Sequence, residues 1–319
     1  DANTTADNMT AVGYQALTTY NRTDGANSNN TAVGAGAFLA LTTGNANTAV
    51  GSEAGANQQG AANCTFLGYR AGKDSTGESN TFVGGLCGDA TDDGAENVAV
   101  GMSALSGNCG DGNTAVGKDA GEVITGSNNT VMGKSTGKSI TSGTNNLFLG
   151  KDAGITGSPG GNITTGSNDI ILGDENIDTA HIQVDWTVAS DQRDKTDFTA
   201  LDLGLDFIKA LAPVTYKWDK RSKYGDKTAE GYDLNAQTPD GTHKEDWLDI
   251  GFKAQEVEAL EIAAGYNKSS KTNLISSHTG DGKQMGLQYS KFVPILVKAI
   301  QEQQALIEAL TARIETLEG

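Results

Sequence analysis

The sequence predicts a mainly β protein: parallel β-roll or β-helix repeats that associate with other chains (in a trimer, by the family resemblance described below), then a small α+β domain that ends in a parallel coiled coil. Three observations predict this architecture. A five-residue motif ending in glycine recurs through the first half, mostly every 16 or 17 residues; ordinary amphipathic segments follow; and the C-terminal segment carries apolar heptads. We expect a repeat shaft at 1–173, a linker at 174–190, a domain at 191–288 and a stalk at 289–319.

Composition bounds the chemistry. The 319-residue chain carries a formal net charge of -17, which argues against a nucleic-acid partner because phosphate binding needs a surplus of Lys and Arg. Of the 42 glycines, 32 precede residue 190, whereas all three tryptophans follow residue 185. The two halves are therefore different kinds of polypeptide. No run of 18 apolar residues occurs, so we expect no membrane insertion.

The repeat motif is Asn, two small or aromatic residues, an aliphatic residue and Gly. It reads NTAVG at 30–34, 47–51 and 113–117, with variants elsewhere. A second element, such as YQAL, SEAG or KDAG, follows the closing glycine. A period near 16 is too short for a helix pair and fits two short strands and two turns per coil, with Gly and Asn at the corners. We interpret 14–30 and 151–168 as longer surface loops that interrupt the period.

The repeats are poor in large apolar side chains. Each offers two or three apolar residues, mostly Ala and Val, so one coil cannot bury enough surface to fold alone. Stacking helps along the axis, and neighbouring chains would complete the core. Three chains around one axis satisfy this argument, and so does a two-fold or four-fold arrangement.

Polar residues recur at fixed places in the repeats. We expect the asparagines to form a ladder that satisfies backbone groups at the turns; they are Asn30, Asn47, Asn63, Asn80, Asn97, Asn113, Asn129 and Asn146. Asp92, Asp93 and Asp111 lie in Gly-rich loops, but no GGxGxD run is present. Calcium needs six or more converging oxygens, so we interpret these loops as solvated.

Neither a metal nor a cofactor is expected. Cys64, Cys87 and Cys109 are odd in number and form no CxxC pair, and the three histidines are scattered. Metal sites need clustered ligands. The cysteines are best interpreted as small buried thiols.

Residues 8–173 resemble the head repeats of trimeric autotransporter adhesins and related repeats of phage tail fibres. Ten copies of the short motif carry this resemblance. It implies a left-handed parallel β-roll shared by three chains.

The C-terminal segment predicts one long amphipathic helix. Its apolar seam steps by three and four residues through Val293, Leu296, Ile300, Gln303, Ile307, Leu310, Ile314 and Leu317. Such a stripe needs partners, and the alternative is a helix packed on its own domain. Ile at a with Leu at d favours two strands, and Gln303 can set register, so the seam alone does not select a trimer.

The middle of the chain predicts a helix at 201–211, a strand at 213–218 and a strand end running into a helix at 251–260. Four motifs occur in order: SDQRDKTD, LGLDFIKALAPVTYKW, IGFKAQEVEAL and YSKFVPILVKAIQEQQ. Over 188–319 this order resembles the C-terminal intramolecular chaperone of phage tail fibres and tailspikes, also classed as serine peptidase family 74. The resemblance implies a domain that trimerises, guides the repeats into register, and then cuts itself off at Ser190–Asp191.

By the same resemblance, the catalytic Ser/Lys dyad maps onto Ser190 and Lys195. A serine hydroxyl is a poor nucleophile until a base removes its proton. Lys195 can act as that base if burial or a neighbouring cation such as Arg193 removes its charge. A strict N-to-O acyl shift would cut before Ser190, whereas the resemblance favours the bond after it. Asp191 and Asp194 are candidates to orient Lys195 or to assist proton transfer.

The resemblance implies a viral tail-fibre protein for host attachment, made in the host cytoplasm and carried in the virion. Its partners would be two further copies, a glycan or protein receptor, and other tail proteins. Its only enzymatic activity would be self-cleavage. Loops at 14–30, 151–168 and 223–248 are candidates for receptor binding.

Three alternatives remain. The first is a bacterial trimeric surface adhesin, which would end in a membrane anchor rather than a soluble coiled coil. The second is a chaperone domain retained uncleaved as the fibre tip. The third is a carbohydrate-cleaving tailspike; glycosidases hold a carboxylate pair in a cleft, and short Gly/Ala coils offer little concave depth.

Overall fold

The computed structural model describes residues 8–22, 27–227, 229, 231–267 and 274–319. Residues 23–26 of the predicted loop 14–30, and residues 228 and 230 of the predicted loop 223–248, lie outside the described residues. The chain divides into two compact units. The first holds the repeats and residues 225–236, and the second holds 178–224 and 237–319. Among the helices of the described part, none has the length and apolarity to cross a membrane.

The repeats form one ten-stranded parallel sheet in which each strand pairs with the next along the chain. Equivalent motif positions lie opposite each other, as in Thr31 with Thr48 and Val50 with Leu67. This confirms the predicted stack of parallel coils. The strands are β1 Thr10–Val12, β2 Thr31–Val33, β3 Thr48–Val50, β4 Thr65–Leu67, β5 Thr81–Val83, β6 Val98–Val100, β7 Thr114–Val116, β8 Thr130–Met132, β9 Leu147–Leu149 and β10 Ile170–Leu172.

The core of the first unit runs through the middle of the coils. From β2 onward the central strand residue points inward and is buried: Ala32, Ala49, Phe66, Phe82, Ala99, Ala115, Val131, Phe148 and Ile171. Phe66 stacks on Phe82 with ring centroids 5.5 Å apart. Alternation along the strand explains the pattern, because the two neighbours of an inward residue must point outward.

Each coil has one strand, so the prediction of two strands per coil is wrong. The element after the closing glycine is a turn in which alternate residues have positive φ, as in Glu53 at 56° and Gly55 at 59°. A strand needs negative φ throughout. The turns still bond coil to coil, as in the Gly55 N–H to the Ala71 carbonyl at 3.0 Å. They therefore form a second hydrogen-bonded ladder without extended backbone.

The closing glycines are required by contact as well as by conformation. Gly34 has φ of +139°, and a Cβ built there would lie 2.3 Å from the carbonyl oxygen of Gly51 in the next coil. That distance leaves no room for any side chain, so the motif ends in glycine because the backbones of successive coils touch there.

The asparagine ladder exists, but its third member is Cys64 and not Asn63. The ladder side chains are buried, and each Oδ1 accepts from the backbone N–H one coil on, as from Asn47 to Asn30 at 2.9 Å. Cys64 donates its N–H to Asn47 at 2.8 Å and so occupies the ladder position. Asn63 stands one residue earlier with φ of 61°, a left-handed position that Asn tolerates better than most residues.

The second unit combines helices with short antiparallel strand pairs. The helices are α1 Leu205–Ala210, α2 Ala254–Ala263 and α3 Phe292–Glu318. The strands are β11 Val214–Tyr216 paired with β12 Asp249–Gly251, and β13 Ser276–His278 paired with β14 Met285–Leu287, both antiparallel. The predicted strand end running into a helix at 251–260 is confirmed, and the predicted helix at 201–211 is shorter than expected.

A small apolar core holds the second unit together. It contains Leu203, Phe207, Val257, Ile275, Phe292 and Ile295. Glu261 is fully buried beneath it and accepts from three successive backbone N–H groups, those of Leu274, Ile275 and Ser276, at 2.7 to 3.0 Å. One carboxylate thereby fixes the start of β13 against α2.

The long helix α3 uses two faces. Phe292, Ile295 and Ala299 are buried, and the Glu302 carboxylate accepts from the Leu205 N–H at the start of α1 at 2.7 Å. The first turns therefore do pack on their own unit. The predicted heptad seam is a separate face and stays exposed, with Ile300 at 63% and Leu310 at 61% exposure.

Candidate active site

The candidate site lies in an exposed segment at the start of the second unit. Residues 178–200 are exposed, and their one regular element is a short 3-10 turn at Gln192–Asp194. The sequence explains this, since the run SDQRDKTD has no apolar period from which to build a buried face.

The turn is set by Asp191, which precedes it as an N-cap. Its Oδ1 accepts from the backbone N–H of Arg193 at 2.9 Å, as Asp does at turns and helix starts. The Asp191 carbonyl accepts from the Asp194 N–H, and the Gln192 carbonyl from the Lys195 N–H, each at 3.2 Å. The chain therefore folds back on itself between residues 191 and 195.

This turn brings the two predicted dyad residues together. The Nζ of Lys195 lies 2.6 Å from the Oγ of Ser190, within the reach that a nucleophile and its base require. Both residues are exposed in the single chain. The contact can pass a proton between hydroxyl and amine once the amine is uncharged.

Arg193 faces Asp191, and its guanidinium forms a bidentate pair with that carboxylate. Nη2 lies 2.6 Å from Oδ2, and Nε lies 3.1 Å from Oδ1. The pairing lowers the pKa of Asp191 and raises the pKa of Arg193. Across the described residues, no hydrogen bond or ion pair joins the carboxylate of Asp194 to Lys195.

Sequence reasoning missed the part played by Asp191 and Arg193 together. It treated each as a separate aid to Lys195, whereas the structure pairs them. The sequence offered one signal, because an Asp side chain commonly bonds the backbone N–H two residues on and closes its own turn. Within the described ranges, no three His, Cys, Asp or Glu side chains are grouped so that they could hold a metal ion.

Fold and site together define a parallel β-repeat protein with a separate C-terminal unit whose exposed first segment holds a Ser–Lys contact. Comparison with protein families then gives a match over residues 190–266 to the Peptidase_S74 model, described as the chaperone of endosialidase. The match begins at Ser190, and residues 267–319 lie outside it. Comparisons with curated proteins and with solved structures give no significant match. The matched residues are therefore similar to an intramolecular chaperone of a class that includes self-cleaving peptidases.

Proposed function

We propose that this chain is part of a homotrimeric tail-fibre protein whose C-terminal region is an intramolecular chaperone, removed by its own cleavage at Ser190–Asp191. The observation that carries the proposal is the 2.6 Å contact between Ser190 Oγ and Lys195 Nζ. It stands at the first residues of the segment that matches the chaperone family.

The chemistry needs no outside reagent except water. Neutral Lys195 accepts the proton of the Ser190 hydroxyl, and Oγ bonds to the carbonyl carbon of Ser190 for a cut after this residue, or to that of Ala189 for a cut before it. The carbon–nitrogen bond breaks, and the Lys195 ammonium returns the proton to the departing amine. Water then hydrolyses the ester and frees the serine hydroxyl. Cleavage after Ser190 leaves Asp191 as the new N-terminus, and cleavage before it leaves Ser190.

Association of chains supplies what the single chain lacks at this site. A lysine becomes a base when burial disfavours its charged form, and Lys195 is exposed in the single chain. Additional protein must therefore cover it. If cleavage occurs only after other chains cover Lys195, then a cleaved chain indicates that assembly has succeeded.

Two exposed apolar surfaces support association. The third residue of every repeat strand points outward and is aliphatic or Met, as in Leu67 at 47% and Met132 at 43% exposure. The α3 seam is the second surface, with Val293 at 59% exposure. Contiguous apolar surface of this kind marks an interface rather than a solvated face. Three copies sharing both surfaces would form the shaft and the stalk.

Removal of the chaperone explains why such a fibre would be durable. An attached folding helper keeps folding reversible. Once it is gone, the intertwined repeats have no easy path back to the unfolded state, and stability becomes kinetic. A shaft of this kind suits attachment of a virion to a host-cell glycan or surface protein.

The proposal is tested by comparing the parent chain with Ser190→Ala and Lys195→Ala on denaturing gels after expression. The parent should yield two fragments, and both variants should stay full length. Thr187→Ala removes a hydroxyl from the same exposed segment and should cut like the parent. An uncut parent that is a stable trimer would instead favour a domain retained as the fibre tip.

A further inference from the structure

We propose that Asp191 and Arg193 form a clasp that positions Lys195 against Ser190. The inference rests on the proposed self-cleavage and assigns these two residues a positioning role in it. Neither transfers the proton; together they hold the turn in which the proton is transferred.

The clasp is made of four hydrogen bonds between two residues. Asp191 Oδ1 accepts from the Arg193 backbone N–H at 2.9 Å and from Nε at 3.1 Å, and Oδ2 accepts from Nε at 3.2 Å and from Nη2 at 2.6 Å. Bidentate, charge-assisted pairing of this kind is both stronger and more directional than a single contact.

Exposure does not remove the clasp's effect. Exposed ion pairs contribute little when they must immobilise two long side chains, and the Arg193 side chain is 88% exposed. Here, however, the carboxylate also bonds the backbone of Arg193, so the pair closes a local turn rather than bridging distant parts. No residue of the turn is buried, so packing does not hold its shape.

The turn fixes the position and direction of the Lys195 backbone. Its N–H bonds the Gln192 carbonyl at 3.2 Å, and its backbone leaves the turn extended, with φ of -127° and ψ of 149°. The flexible lysine stem then reaches back across five residues to Ser190. Without the turn, the two groups would meet rarely, and rates fall by about 100-fold when reacting groups are misplaced by about 1 Å.

Asp191 has a second consequence, because it contributes the nitrogen of the proposed scissile bond. Holding its side chain also holds the peptide unit that must break. The clasp therefore orders the leaving-group side and the base with a single pair of residues.

An alternative role for Arg193 is to act by charge, as a cation that favours neutral Lys195. The two roles give different kinetics. A charge effect moves the pH at which cleavage reaches half its maximum, whereas a positioning effect lowers the maximum and leaves that pH unchanged. The geometry points to positioning, because the guanidinium is directed at Asp191.

The test follows cleavage of freshly synthesised, pulse-labelled full-length chain over time and over a series of pH values. Asp191→Asn and Arg193→Gln should each slow cleavage about 10- to 100-fold, and the double variant should be no slower than the slower single, because one unit is lost. Arg193→Lys should stay slow, since a point charge does not replace the guanidinium fork. Gln192→Ala, in the same turn but outside the clasp, should cut at the parent rate.

The outcomes separate the two proposals. An uncut parent removes the self-cleavage proposal itself. A cut parent with Arg193→Gln at the parent rate overturns the clasp alone. The clasp is also overturned if the variants shift the pH of half-maximal cleavage and the double variant loses as much rate as the two single variants combined. That result would assign Arg193 the charge role. Native gels of every variant show whether assembly is equal, so that a slow variant is not merely an unassembled one.

Discussion

The break in the asparagine ladder at Cys64 predicts that the shaft can be made more stable. In the next coil Ser75 and Asn80 occupy the equivalent positions, and their side chains bond at 3.1 Å. At the break, the Asn80 N–H and the side chain of fully buried Gln58 both face the Cys64 sulfur, a weak acceptor, and the Gln58 amide has no oxygen or nitrogen partner among the described residues. The double variant Gln58→Ser/Cys64→Asn places the same Ser–Asn pair at the break, in a coil with one more residue between the two positions.

The expected gain follows from the groups involved. Restoring one ladder hydrogen bond contributes about 1 kcal/mol, and removing a buried amide whose partner is only a weak sulfur acceptor recovers about 1–3 kcal/mol. The double variant should therefore raise the free energy of unfolding by about 2–4 kcal/mol. Each single variant should gain less, because Asn beside Gln58 is crowded and Ser beside Cys64 leaves a cavity.

Denaturant unfolding of the shaft, measured in the Ser190→Ala background so that one species is present, provides the assay. Asn113→Ala is the opposite control, since it deprives the Asn129 N–H of its acceptor at 2.9 Å and should destabilise. A double variant no more stable than the parent, beside a destabilised Asn113→Ala, would refute the interpretation of Cys64 as a defect in the ladder.

Three further predictions concern stability. Glu261→Ala should lose about 3–5 kcal/mol in urea unfolding because it leaves buried N–H groups without an acceptor, whereas exposed Glu256→Ala should lose under about 1 kcal/mol; equal losses would contradict this. Gly34→Ala should abolish soluble, folded shaft on a native gel, and Gly85→Ala, where a Cβ meets nothing within 4 Å, should be tolerated. Burial raises the pKa of Cys87 from 9.0 to about 12, so the stability that its neutral thiol contributes is present below pH 9 and is lost as pH rises towards 12. The melting temperature of Cys87→Ala should therefore fall less than that of the parent over that pH range. An equal fall in both proteins would contradict this prediction.

The sequence predicted the architecture well where a period was present. Repeated glycines and asparagines report backbone positions that stacking forces to recur, so the coils could be placed from spacing alone. The stalk helix was equally predictable, because apolar residues spaced by three and four, such as Val293, Leu296 and Ile300, are typical of an amphipathic helix.

The sequence did not show details that depend on backbone φ angles or on one repeat that departs from the motif. The second strand is missing because residues such as Glu53 have positive φ, and a glutamate in the sequence does not indicate that conformation. Asn63 was predicted as the ladder residue because it is an asparagine, but the coil that follows Asn47 is 17 residues long and therefore places Cys64 at the ladder position. At the candidate site, the family resemblance suggested the pairing of Ser190 and Lys195, whereas the spacing of Asp191 and Arg193 was a weaker signal whose bidentate contact only the structure showed.

The intact mass of the freshly made parent chain tests the central claim most directly. The account predicts two masses that sum to the full chain plus one water and divide it between Ser190 and Asp191, with Asp191 as the N-terminal residue of the smaller fragment. A single full-length mass from an assembled trimer would contradict it and would assign the C-terminal unit a permanent place in the fibre.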